Sequence, residues 1–99
     1  MYLDSYKNRI VELCEKHKVR HLFAFGSVLS NKFSDVSDID FLVDIKSNDP
    51  ITYAESYFNF KFDLENLLNR KIDLLEERAL KNRYFIENIN NSKKLIYGS

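Results

Sequence analysis

The sequence predicts an α/β (α+β) fold, with a small mixed sheet of about four strands flanked by helices. Residues 39–45 alternate between apolar and mostly acidic side chains, which is the pattern of a strand with one face on a core. Residues 5–18 and 52–69 carry apolar side chains at three- and four-residue spacing, which is typical of amphipathic helices. Because the chain has only two glycines and one proline, we expect mostly regular structure joined by short loops.

The same rules predict the elements along the whole chain. In order, they are a helix from Asp4 or Ser5 to Lys18, a strand over Val19–Phe25, a strand over Ile39–Ile45, a helix over Thr52–Asn69, a strand over Arg70–Leu75, a helix over Ala79–Asn90 and an edge strand over Lys94–Tyr97. A capping-box pattern, Thr52 with Glu55, marks the start of the long helix. In the last helix the expected core positions are Leu80, Tyr84, Phe85 and Ile89.

Composition limits the classes of function. Residues 1–99 are expected to form one domain, since this length suits a single core. Lys and Arg total 15, as do Asp and Glu, so the formal net charge is zero. A broad surface for RNA or DNA usually needs a basic excess, and direct nucleic-acid binding is therefore not expected. The amino terminus lacks an apolar signal-peptide core and no apolar run reaches membrane-spanning length, so we expect a cytoplasmic protein.

Two aspartates stand out in the second predicted strand. Asp38 and Asp40 are two residues apart and project from the same face, because successive strand side chains point to opposite faces. Two like charges at that distance disfavour each other's ionisation unless a cation lies between them. A third carboxylate, Asp73, interrupts the apolar pair Ile72 and Leu74 in the third strand. Alignment of Asp73 with the other two would complete a divalent-metal site.

Other residues have plainer interpretations. Gly26 and Ser27 end the first strand, and a helical turn beginning there would offer free backbone N–H groups to an anion. The single cysteine, Cys14, lies at an apolar helical position and is expected in the core. His17 and His21 are expected to serve packing or the surface. The long helix also carries surplus aromatic residues, Phe58 and Phe62, which indicate either a wide core contact or a partner surface.

These motifs, in this order, resemble the polymerase-β-type nucleotidyltransferase signature. They are Gly26-Ser27, Ser37-Asp38-Ile39-Asp40 and Lys71-Ile72-Asp73-Leu74. The compact length resembles the minimal nucleotidyltransferase (MNT) domains, and the resemblance implies that fold. It also implies that Gly26, Ser27 and Ser37 bind ATP as co-substrate, that Asp38 and Asp40 bind one or two Mg²⁺ ions, and that Asp73 is a metal ligand or general base. Asp38, Asp40 and Asp73 would then be the catalytic residues.

The resemblance also implies a partner. The chain is similar to the MntA-like antitoxins of HEPN–MNT toxin–antitoxin pairs, which transfer AMP from ATP to a tyrosine hydroxyl of a HEPN ribonuclease toxin in a hetero-oligomer. Family members often carry arginine and glycine where this chain has Ser30 and Asn31, so a phosphate contact could be missing. The alternatives are therefore an antitoxin that acts by complex formation with little catalysis, or a nucleotidyltransferase for a small hydroxylated substrate.

Overall fold

The computed structural model describes residues 1–98, and its centre is a four-stranded sheet. The strands are β1 (Val19–Phe25), β2 (Ile39–Ile45), β3 (Ile72–Glu76) and β4 (Lys94–Tyr97), in the spatial order β3-β2-β1-β4. β1 pairs antiparallel with β2 and β4, whereas β2 and β3 are parallel. Parallel neighbours need a long crossover, and here a helix supplies it. The predicted mixed sheet of four strands is confirmed.

Three α-helices flank this sheet: α1 (Lys7–Lys16), α2 (Pro50–Leu68) and α3 (Arg83–Ser92). Short 3₁₀ segments cover Tyr2–Tyr6, Gly26–Leu29 and Glu77–Ala79. The core lies between one sheet face and the pair α1 and α2. Its strand residues include those predicted on the apolar face of β2, namely Ile39, Phe41, Val43 and Ile45, all fully buried. Cys14 is likewise buried, as expected.

Several predicted boundaries are wrong by a few residues. α2 begins at Pro50 and not at Thr52, because the Asp49 carboxylate caps the helix by accepting the Thr52 N–H at 2.9 Å. Proline suits this first helical position, since its missing N–H would have no helical partner there. β3 begins at Ile72 and not at Arg70, because the left-handed backbone of Asn69 (φ 48°) ends α2 and turns the chain first.

The last helix also differs from its prediction. α3 starts at Arg83, with the Asn82 side chain accepting the Phe85 N–H at 3.0 Å. Ile89 is buried as predicted, but Tyr84 is 80% exposed and Phe85 40% exposed. The predicted core positions Tyr84 and Phe85 are therefore wrong, because the α3 side chains that lie beside Leu42 of the sheet are Ile86 and Ile89.

α3 lies over the second face of the sheet, the face that carries the aspartates. Its residues Ile86 and Ile89 line a cavity of about 230 Å³ together with Leu42 of β2. Leu42 is thereby buried, although it alternates with Asp40 and Asp44. Phe85 and Asn88 of α3 line a second cavity, of about 280 Å³, together with Phe25 and Gly26. Across residues 1–98, no helix is both long and apolar enough to span a membrane.

Candidate active site

Asp40 and Asp73 are direct neighbours across the parallel strands β2 and β3. The two residues are register partners, so their side chains leave the sheet on the same face. Asp73 is exposed and Asp40 is half-buried. Asp38 directly precedes β2 and is exposed. The parallel pairing therefore brings Asp40 beside Asp73, 33 positions apart in the sequence (73 − 40), and Asp38 is the residue before β2. Among residues 1–98, the oxygens of these three carboxylates do not form a group within 4.8 Å of one another.

The charges of Asp73 and Asp38 act on Asp40. Burial raises the pKa of Asp40 above its ordinary value, and the charges of Asp73 and then Asp38 raise it further. Each of these effects disfavours the ionised form of Asp40. A bound cation would relieve both, because it replaces lost hydration and offsets the repulsion. The raised pKa of Asp40 thus reflects its burial first and the two neighbouring carboxylates second.

Gly26 lies directly against Asp40. Its backbone adopts a left-handed conformation (φ +77°), and a Cβ atom at this position would overlap the Asp40 Oδ2 atom. Glycine alone satisfies both conditions without strain. The preceding residue, Phe25, pairs with Asp40 across β1 and β2. The glycine–serine motif and the aspartates, distant in sequence, thus meet at one end of the sheet.

The serines near this site form turns. The Ser30 hydroxyl and backbone N–H both donate to the Ser27 carbonyl, at 3.1 and 2.9 Å, and close the 3₁₀ segment that starts at Gly26. The Ser37 hydroxyl accepts the Ser34 N–H at 3.1 Å, so it is engaged within its own loop. Nucleotide binding by Gly26, Ser27 and Ser37 stays a prediction.

The donor set at this end of the sheet suits magnesium. Mg²⁺ is a hard cation that takes a few carboxylate oxygens and keeps its other positions for water and substrate phosphates. Asp38, Asp40 and Asp73 offer only such oxygens, and two of the three residues are exposed enough to leave room for a nucleotide. We expect these residues to hold the metal that the family resemblance implies.

A second cluster, not foreseen from the sequence, lies at the other end of the same face. His21, Asp44 and Glu77 have ligand atoms within 4.8 Å of one another, the one such group among residues 1–98. Both oxygens of Asp44 are already taken, by Arg20 at 3.1 Å and Arg78 at 3.0 Å. The positive charges of Arg20 and Arg78 offset the negative charge of Asp44. We therefore interpret this cluster as an ion-pair network. Its one sequence signal is the cross-strand position of His21 opposite Asp44, which required the register to be known.

Comparison with known proteins agrees with this geometry. The family model described as "Polymerase beta, Nucleotidyltransferase" matches residues 8–99. Two Methanocaldococcus jannaschii proteins, each named "Putative protein adenylyltransferase", are similar in sequence. One (MJ0126) is 35% identical over 86 residues, covering 87% of this chain and 83% of the relative. The other (MJ1379) is 32% identical over 85 residues, covering 86% and 82%.

Solved structures share the fold. A "putative minimal nucleotidyltransferase" has a TM-score of 0.76 at 25% identity, covering 93% of this chain and 90% of the other. An MNT antitoxin in complex with a tri-AMPylated Shewanella oneidensis HEPN toxin gives a TM-score of 0.67 at 20% identity, covering 100% and 74%. A toxin–antitoxin crystal structure with AMP-PNP gives 0.72 at 22% identity, covering 94% and 73%. The chain therefore belongs to the polymerase beta nucleotidyltransferase family and has the fold of its minimal members.

Proposed function

We propose that this protein transfers AMP from ATP, with Mg²⁺, to a tyrosine hydroxyl of a HEPN-type toxin and thereby neutralises it. The observation that carries the proposal is the meeting of Asp40, Asp73 and Gly26 at one end of the sheet. The names of the two M. jannaschii relatives support AMP transfer to protein. The complex of an MNT antitoxin with a tri-AMPylated HEPN toxin supports the class of acceptor.

Each residue has a separate task in this proposal. Gly26 and Ser27 present backbone N–H groups to the triphosphate at the start of the 3₁₀ segment. Asp38 and Asp40 hold the metal, and Asp73 accepts the proton of the acceptor hydroxyl. Bound magnesium would supply positive charge to the phosphate oxygens. The exposure of Asp73 lets an acceptor from outside the chain reach it.

The proposed transfer is an in-line displacement at the α-phosphorus. The tyrosine oxygen forms a bond to the α-phosphorus, while the bond from that phosphorus to the oxygen bridging the α- and β-phosphates breaks. Pyrophosphate leaves with the electron pair of the broken bond, and the hydroxyl proton goes to the Asp73 carboxylate. The product is a tyrosine–AMP phosphodiester, so no oxidant or further reactant is needed.

The proposed function is tested by mixing the protein with a cognate HEPN toxin, ATP and magnesium, and measuring the toxin's intact mass. We expect gains corresponding to whole AMP groups and a parallel loss of ribonuclease activity. Complex formation and toxin inhibition without a mass gain would instead establish an antitoxin that acts by binding alone. AMP transfer to a small hydroxylated compound, with the toxin unmodified, would establish the small-substrate alternative.

Exposed aromatic residues suggest where the toxin docks. Phe58 and Phe62 are each 64% exposed and lie one turn apart on α2. The inner side of α2 packs on the sheet face opposite the aspartates, so these two rings point away from the proposed active site. A toxin subunit that docks on these rings would therefore contact the chain at a surface separate from the proposed active site.

Replacing Phe58 and Phe62 should lower the affinity for the toxin more than it lowers the rate of AMP transfer within the complex. We expect Phe58→Ser/Phe62→Ser to lower toxin affinity at least about tenfold, since buried aromatic anchors often contribute more than 1 kcal/mol each. The control variant Tyr84→Ser removes a ring that is 80% exposed on α3, on the aspartate side of the sheet. Affinity is measured by titration calorimetry and transfer by intact mass. Unchanged affinity in the α2 variant would contradict docking at this surface.

A further inference from the structure

The loop that carries Asp38 has few bonds to the rest of the protein. It runs from residue 30 to residue 37, and most of its side chains are exposed. Its own hydrogen bonds are local: Ser34 N–H donates to Ser37 Oγ, and Ser37 N–H donates to Ser34 O, both at 3.1 Å. Such bonds shape the loop but do not fix it against the sheet. Phe33 is packed against the core and lies 5.2 Å from the Tyr2 ring, centre to centre. Asp38 directly follows residues 34–37, so a contact that holds this part of the loop also affects where Asp38 lies.

Arg70 supplies that contact. Its Nη1 donates to the carbonyl oxygens of Ser34, at 2.8 Å, and Ser37, at 2.9 Å. Its guanidinium carbon lies 4.5 Å from the centre of the Phe33 ring and 4.9 Å from that of Tyr2. A planar guanidinium can stack on aromatic rings while donating in its own plane, whereas a lysine ammonium cannot do both.

The backbone of Arg70 is itself tied to the sheet. Its N–H donates to the Glu65 carbonyl at 3.3 Å, at the end of α2. The carbonyl of the next residue, Lys71, accepts the Ile39 N–H at 3.3 Å and so begins the pairing of β2 with β3. Arg70 stands three residues before Asp73 in the chain, and its side chain reaches the residue before Asp38. One side chain thus joins the two segments that carry these carboxylates.

We propose that Arg70 is a positioning residue that sets Asp38 relative to Asp40 and Asp73 by clamping the loop over residues 30–37. In this proposal Arg70 acts through the loop, because its Nη1 serves the two loop carbonyls and its guanidinium stacks on the Phe33 ring. The consequence for metal binding rests on the proposed function, while the clamping of the loop does not. The two can therefore be tested separately.

The clamp is tested first in the protein without ligands. Amide hydrogen exchange of Arg70→Lys is expected to be at least about tenfold faster at residues 34–38 than in the wild type, because the two carbonyl bonds and the stacking are lost. Arg78→Lys is the matched control. Arg78 also donates to two carbonyls, those of Ser47 at 2.8 Å and Ile45 at 2.7 Å, but it does so at the far end of β2. Unchanged exchange at 34–38 in Arg70→Lys would overturn the proposal.

The effect on metal binding is tested by titrating Mg²⁺ against a fluorescent ATP analogue. Loss of a group that orients a metal ligand commonly weakens metal binding by about 10- to 100-fold, and we expect Arg70→Lys to fall in that range. Binding of the analogue in EDTA should be unchanged. Arg70→Lys combined with Asp38→Asn should bind Mg²⁺ no more weakly than Asp38→Asn alone, because both changes act on the same ligand.

The outcomes separate the possible failures. Weaker analogue binding in EDTA would make Arg70 a direct phosphate contact and would overturn the positioning role. An additive loss in the double variant would also overturn it. If the wild type binds no nucleotide with Mg²⁺, the proposed function fails, and hydrogen exchange still decides whether Arg70 clamps the loop.

Discussion

Replacing Asp40 with asparagine is expected to abolish Mg²⁺-dependent ATP binding and AMP transfer together, whereas Asp73→Asn should lose transfer and keep most ATP binding. Asp40 is half-buried between Gly26 and Asp73, so it is the carboxylate best placed to hold a metal. Losing the metal removes several kcal/mol of transition-state stabilisation, or at least about 1000-fold in rate. Losing a general base typically costs about 100- to 10,000-fold.

Calorimetry measures ATP binding, and the intact mass of the toxin measures AMP transfer. Together they separate a metal ligand, whose loss affects both, from a general base, whose loss affects transfer. If Asp73→Asn loses Mg²⁺-dependent ATP binding as completely as Asp40→Asn, Asp73 is a metal ligand and not chiefly a base. Transfer at the wild-type rate in either variant would contradict the proposed site. Asp35→Asn offers a matched control, because Asp35 is an exposed aspartate in the loop before Asp38 and has no part in the proposed chemistry.

The stability of Asp40→Asn without metal shows whether the variant folds. The pKa of Asp40 is raised in the folded protein, so ionisation of this group destabilises the fold. The contribution of Asp40 to the free energy of unfolding should therefore fall as the pH rises above the usual aspartate pKa of 3.8, and bound magnesium should restore it. Asparagine does not ionise, so it avoids the cost of the Asp40 charge. The metal-free variant should therefore be at least as stable as the wild type at about pH 8, and urea denaturation measures this.

Gly26→Ala is expected to produce the second large effect. Alanine at φ +77° is strained by about 1–3 kcal/mol, and its Cβ would displace the Asp40 carboxylate. We therefore expect both a lower free energy of unfolding and at least about tenfold weaker Mg²⁺-dependent ATP binding by the folded protein. The matched control is Gly98→Ala. Gly98 also has a left-handed backbone (φ +92°), but its added Cβ would meet the Arg20 carbonyl, at the far end of the sheet.

Urea denaturation and calorimetry with ATP and magnesium check this prediction. Gly98→Ala should lose stability and keep ATP affinity, since only the fold is strained. Gly26→Ala with normal ATP affinity would show that the close contact with Asp40 does not matter for the site. Equal losses of affinity in both variants would indicate a general effect of instability.

Local patterns predicted most of the secondary structure and the face from which Asp40 projects. The motifs in their order predicted the identity of the other candidate site residues. The alternation in β2 depends only on the strand period, so the buried face and the projection of Asp40 from the other face follow from the sequence. Helix ends were less predictable. The Thr52–Glu55 pattern predicts a cap at Thr52, whereas in the structure the Asp49 carboxylate accepts the Thr52 N–H and caps the helix three residues earlier.

Tertiary structure alone decided how the parts of the site meet. A periodic pattern says which face a side chain occupies but not which strand lies beside it, because register depends on contacts between distant segments. The parallel pairing of β2 and β3 brings Asp73 beside Asp40, and the antiparallel pairing of β1 and β2 brings Gly26 against it. The clamp by Arg70 likewise spans more than 30 positions, from residue 70 back to Ser34 and Ser37. The sequence thus determined which groups are available, and long-range packing determined which of them lie together.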